Sequence, residues 1–157
     1  MKGTKELRCY TFTLFQLSSI QQGIQAGHAA VELVINYPQN PTIFTEQGFL
    51  PLNNVQEWAH YWKTMVLLNG GDLSELRELI LFFSTTHNPF MWTLFYESEE
   101  SLDGIPTSIA IILPERIFKA SEALRRNSTD FGTVFSGAFS GWEADLIIRL
   151  SRMPLAR

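Results

Sequence analysis

The feature that most restricts the fold of this chain is the order in which short apolar runs and amphipathic segments follow one another. "RCYTFTLFQL" (8–17) is rich in aromatic and β-branched residues and stops at a serine pair, as a buried strand does. The next segment opens a helix near Ser19 and ends at Asn36-Tyr37-Pro38, where proline cannot continue a helix. "VQEWAHYWKTM" (55–65) reads as a short aromatic helix and "MVLLNG" (65–70) as a short strand. "DLSELRELILFFSTTH" (72–87) is an amphipathic helix with Asp72 or Ser74 near its cap, and "FMWTLFYE" (90–97) and "TSIAIILP" (107–114) are apolar strands. Strand, helix, helix, strand, helix, strand, strand predicts a three-layer α/β/α domain. The last two strands are joined only by "SEESLDGIP", too short for a helical crossover. They are either antiparallel neighbours or separated by a loop at one end, which makes the four-stranded sheet mixed.

Beyond these strands, "ERIFKASEALRRN" (115–127) is a further amphipathic helix and "STDFGTVFSGAFSG" (128–141) suits a loop or lid. "WEADLIIRLSRM" (142–153) places Trp142, Leu146, Ile147 and Leu150 at helical spacing, although "LIIRL" also suits an edge strand. Residues 38–54 form a long irregular connection rich in Pro and Asn, of the kind that borders functional sites. With 157 residues, 45% of them hydrophobic, and no internal repeat, the chain is expected to be one domain over 1–157. Its core spans about 8–118, with a C-terminal extension over 119–157.

No apolar run approaches the length of a membrane span, and the N-terminus lacks a hydrophobic region of signal-peptide type, so a soluble, cytoplasmic protein without a membrane partner is expected. Cys9 is the sole cysteine, which excludes an internal disulfide and a thiolate metal cluster and suits a small buried filler. A net charge of −4 with only four lysines argues against binding that rests mainly on phosphate neutralisation. The arginines at 125, 126, 149, 152 and 157 read as surface charges.

The segment "SSIQQGIQAGHAAVELVINYP" (18–38) carries the most chemistry. Ser19 followed by Gln22 fits a capping box. At 100° per residue Gln21, Gln25, His28 and Glu32 line one narrow stripe, while Gly23, Ala26, Gly27 and Ala30 form a face of low relief. A polar stripe near a capped helix start can receive an anion or a developing oxyanion. Periodicity alone favours the simpler account, that the stripe faces solvent.

Within that segment, Gln25-Ala26-Gly27-His28-Ala29 matches the Q-x-x-H-A part of the helix motif of type 2 peptidyl-tRNA hydrolases, and the chain resembles that family over about 8–118. "TMVLLNGGDLSELREL" is similar to its second strand and following helix, "NPFMWTLFYE" to its strand ending in an acid, and "TSIAIILPE" to its last strand. The resemblance implies cofactor-free hydrolysis of the ester between a peptide and the terminal ribose of tRNA, and a homodimer. The family's lysine position is occupied by Gln21, a neutral donor and acceptor. Its aspartate corresponds to Glu97 or Asp103, and its threonine to Thr107 or Ser108.

Two functions follow as expectations. In the first, a hydrolase uses His28 as general base or water-orienting group, Glu97 or Asp103 polarises it, and Gln21, Gln25 and Thr107, with Ser19 and Ser108 nearby, position the substrate. In the second, the same pocket binds a tRNA end or a nucleotide-like small molecule without turning it over. A third, purely structural role as an interaction surface ranks last, because aromatic residues at this density usually build core. His60 and His87 have no partner at metal-ligand spacing, and Asn69-Gly70-Gly71 reads as a strand-to-helix turn, so neither a metal nor a cofactor is expected.

Overall fold

The computed structural model describes residues 5–39, 44–45, 48–49, 52–98, 104–127, 132 and 137–156. In chain order they form β1 (Leu7–Thr13), α1 (Ser19–Asn36), the short strands β2 (Phe44–Thr45) and β3 (Gly48–Phe49), and α2 (Asn54–Glu57). A π-helical turn (Trp58–Trp62) continues α2 and is followed by β4 (Met65–Asn69) and α3 (Leu73–Phe83). Then come β5 (Trp92–Tyr96), β6 (Pro106–Pro114), α4 (Glu115–Arg126) and α5 (Gly141–Arg152).

The main sheet has four strands in the order β4-β1-β6-β5. β1 and β4 run parallel, whereas β6 is antiparallel to both β1 and β5, so the sheet is mixed and the last two strands are antiparallel neighbours. Alternate residues of the two central strands feed two cores. Tyr10, Phe12, Ile109, Ile111 and Leu113 join side chains of α3, α4 and α5, among them Leu76, Phe83, Phe118 and Ile147. Leu7, Cys9, Ala110 and Ile112 meet Ala29, Ala30 and Leu33 of α1 together with Val55 and Trp58. Period-two alternation sends successive side chains to opposite faces, which is why two strands apolar on both sides need helices on both sides.

Local signals locate the helix ends. α3 starts at Asp72, whose carboxylate accepts the Glu75 amide while Glu75 accepts the Asp72 amide. α1 starts one residue earlier than expected. Ser18, with extended backbone, is the cap, and the reciprocal partner is Gln21 rather than Gln22. The Ser-Ser-Ile-Gln-Gln sequence offers the capping box in two frames one residue apart, and burial decides between them: Gln22 is on the inner face and donates to the Leu17 carbonyl. Residues 141–152 are helical, so the edge-strand alternative for "LIIRL" does not occur. The tail lies along the free side of β4 instead: the Asn69 amide donates to the Pro154 carbonyl and the Ala156 amide to the Leu67 carbonyl, each at 2.9 Å. Among the described residues no helix is long and apolar enough to cross a membrane.

Candidate functional site

α1 packs across β6 and β5, and its contacts with β5 form a ladder. Near the helix C-terminus, Asn36 Nδ2 donates to Thr93 Oγ1 at 2.8 Å. Two turns back, the His28 ring lies against Phe95 with centroids 4.7 Å apart. One turn further back, Gln25 Nε2 donates to Glu97 Oε2 at 2.7 Å. Numbers fall along the helix as they rise along the strand in steps of two, so α1 runs antiparallel to β5 and shares its spacing. Gln25 and His28 therefore face the sheet edge, and the stripe is not simply the solvent side of the helix.

The helix half nearest its N-terminus has a polar underside. Gln25 is 6% exposed and its amide is used at both ends: Oε1 accepts from the wholly buried Thr107 hydroxyl at 2.7 Å, and Nε2 donates to Glu97. The Ser108 hydroxyl donates to the Gln25 carbonyl at 2.8 Å. The second Glu97 oxygen accepts the Ser98 amide at 3.1 Å. Thr13, opposite Ser108 in the β1–β6 ladder, is also fully buried, and its hydroxyl has no partner among the described residues. Gln22 Oε1 is likewise buried without a partner among them. Buried polar atoms without partners are uncommon, and sites for polar ligands are one place where they occur.

Of the residues expected at a site, Gln25, Glu97, Thr107 and Ser108 are brought into one hydrogen-bonded group, with His28 one turn along α1 from Gln25. Gln21 and Ser19 are exposed, and the Gln21 side chain is turned back onto the Ser18 cap, away from that group. Asp103 lies outside the described residues. Thr13 and Gln22 were not singled out from the sequence. The sequence signal for Gln22 was its three-residue spacing from Gln25, which the capping-box frame concealed.

The arrangement orients rather than activates. The Thr107 hydroxyl gives its proton to an amide oxygen, which is no base, so Thr107 is not set up as a nucleophile. Glu97, half-buried and fixed by two donors, is the carboxylate of this group. Burial pushes the Cys9 thiol up to about 12, which keeps it out of thiolate chemistry. Among the described residues no three His, Cys, Asp or Glu side chains are grouped to hold a metal ion. An open cleft of about 510 Å³ lies at the same end of the sheet, where the chain leaves β1 and β4 for opposite faces. Phe15, Gly70, Arg149, Arg152 and Met153 line it, so two of the arginines assigned to the surface by sequence border a concavity.

No family model and no curated protein matches this chain.

Proposed function

We propose that the polar group beneath the start of α1 is the site of a peptidyl-tRNA hydrolase-like ester hydrolase. The observation that carries this reading is the Thr107–Gln25–Glu97 chain of hydrogen bonds, which joins the glutamine of the Q-x-x-H-A stretch to the acid after β5 and the threonine at the start of β6. These are residues that the resemblance nominated from three separate parts of the sequence. Glu97 takes a proton from water, and the resulting hydroxide adds to the ester carbonyl carbon. The bond to the ribose oxygen then breaks, and that oxygen takes up the proton. The remaining Gln25 N–H is the donor offered to the oxyanion, and His28, exposed beside Phe95, contacts the substrate at the rim.

A second reading is supported by Gln21. It stands where the family has lysine, is neutral, and is held in the helix cap. A site lacking that charge can hold the adenosine end of a tRNA without hydrolysing it.

Incubation of the purified chain with an N-acetylaminoacyl-tRNA separates these. Release of the amino acid, reduced about 100-fold or more by Glu97→Gln and weakened by His28→Ala, supports the hydrolase. Stoichiometric retention of intact tRNA without release supports the binder. If neither release nor retention is seen, both readings are overturned.

A further inference from the structure

We propose that the cleft between α3 and α5 binds a small zwitterion, a molecule of free amino acid or short-peptide type that carries an ammonium group, a carboxylate and an apolar side chain. The topology makes a crevice at this point. β1 and β4 lie side by side and parallel, and the chain leaves β1 for α1 on one face of the sheet and β4 for α3 on the other. Ligands of open α/β sheets bind in the crevice outside the carboxyl ends of two such strands. Here Phe15 follows β1 and Gly70 follows β4, and both line the cleft of about 510 Å³. The Gln25 group lies under α1, on the opposite face, so the proposal does not rest on the hydrolase reading.

The walls are two helices that meet at one end and part at the other. Trp142 of α5 stacks on Phe82 of α3 with ring centroids 4.7 Å apart, and the Arg149 guanidinium lies 4.5 Å from the centre of the Phe82 ring. Glu78 and Glu75 precede Phe82 by one and two helical turns and share its side of α3, while Arg152 lies one turn beyond Arg149 on α5. All four charged side chains line the cleft. No ion pair joins the two walls among the described residues. The carboxylate beside Arg149 is Asp145 of its own helix, 3.5 Å from Nε, and that buried Nε has no hydrogen-bond partner among the described residues. Arg152 and Glu78 make no hydrogen bond or ion pair among them either.

Two positive and two negative groups in one cleft disfavour an ion of a single sign, because an anion drawn to the arginines is repelled by the glutamates, and a cation the reverse. A ligand bearing both charges answers both walls. A guanidinium matches a carboxylate with two parallel hydrogen bonds, which places the ligand carboxylate on α5. Glu75 gives one oxygen to the Asp72 amide, which leaves Glu78 as the carboxylate for the ammonium. Phe15, 51% exposed, supplies the surface on which an apolar side chain packs, with Met153 beside it. The cleft volume lies within the range of about 300–1,000 Å³ usual for small-molecule sites.

Titration of the full chain, followed by amide NMR shifts, tests the proposal with three probes that share one ring: L-phenylalanine, 3-phenylpropionate without the ammonium, and phenethylamine without the carboxylate. Phenylalanine is expected to shift the Gly70 and Gly71 amides saturably with a Kd of about 1 mM or lower. Each of the other two is expected to bind about fivefold more weakly or worse, the worth of one charge pair near the surface. Arg152→Gln should remove the preference over phenethylamine, and Glu78→Gln the preference over 3-phenylpropionate; both residues are exposed, so neither change disturbs the fold. No saturable shift with phenylalanine up to about 10 mM overturns the proposal. Equal binding of all three probes overturns it too, as does 3-phenylpropionate binding as well as phenylalanine, which marks a plain anion site. Shifts that neither substitution weakens place the ligand elsewhere and also reject it.

Discussion

Gln25 shows how one buried side chain ties three elements together. Replacing it with alanine strands the Thr107 hydroxyl and removes the donor to Glu97, at a cost of about 1–3 kcal/mol, read by denaturant unfolding. Cys9 gives a second outcome at this scale. Its thiol is fully buried and pushed up to about 12, so thiol reagents at neutral pH are expected to modify it only on unfolding, and the labelling rate reports global opening. Glu143 gives a third. Burial pushes its carboxyl up, but the Arg116 guanidinium and the Ser140 cap outweigh burial and hold it below the ordinary 4.5. A lowered folded value contributes stability that is complete above the unfolded value and is lost as pH falls through the folded one. Thermal midpoints between about pH 5 and pH 3 should therefore fall less steeply in Glu143→Gln than in wild type. Gln25, Glu97 and Thr107 were legible because a motif and the order of strands named them. Gln22 and Thr13 were not: a one-residue change of frame turns a helix position by 100°, and nothing in a strand sequence says which threonine loses its partner.

At the scale of elements, α1 is the instructive case. Its buried arc is made largely of Ala26, Ala29 and Ala30, small residues that fit close against a sheet but carry little hydropathy, together with Leu33, while Ile20, Ile24, Val31 and Ile35 lie outside. A pattern that equates apolar with inside therefore misplaces this helix, and only the packing of β5 and β6 orients it. The strands were easier, because residues apolar on both faces over 107–114 have few alternatives to a central position. The tail was not legible as a sheet contact: Leu155 makes one isolated bridge to Leu68, and Pro154 hides it from any strand pattern. Ending the chain after Met153 removes two backbone hydrogen bonds along β4. It is expected to lower stability by about 1–3 kcal/mol and to speed hydrogen exchange at the Asn69 amide.

Across the whole molecule, the α/β class and the mixed four-stranded sheet followed from the sequence of elements and from the shortness of one connection. What joins the ends of the chain did not, because strand neighbours far apart in sequence leave no local trace. β1 is central, yet one of its two partners is β6, about a hundred residues later. Bringing such distant segments together costs chain entropy before any contact offsets it, which predicts slow folding for a domain of this size. A nascent chain must hold its first strand with one side unpaired until residue 114 has left the ribosome, and one face of the sheet bare until α4 and α5 follow, so chaperone dependence during synthesis is expected to last until about residue 152 has emerged.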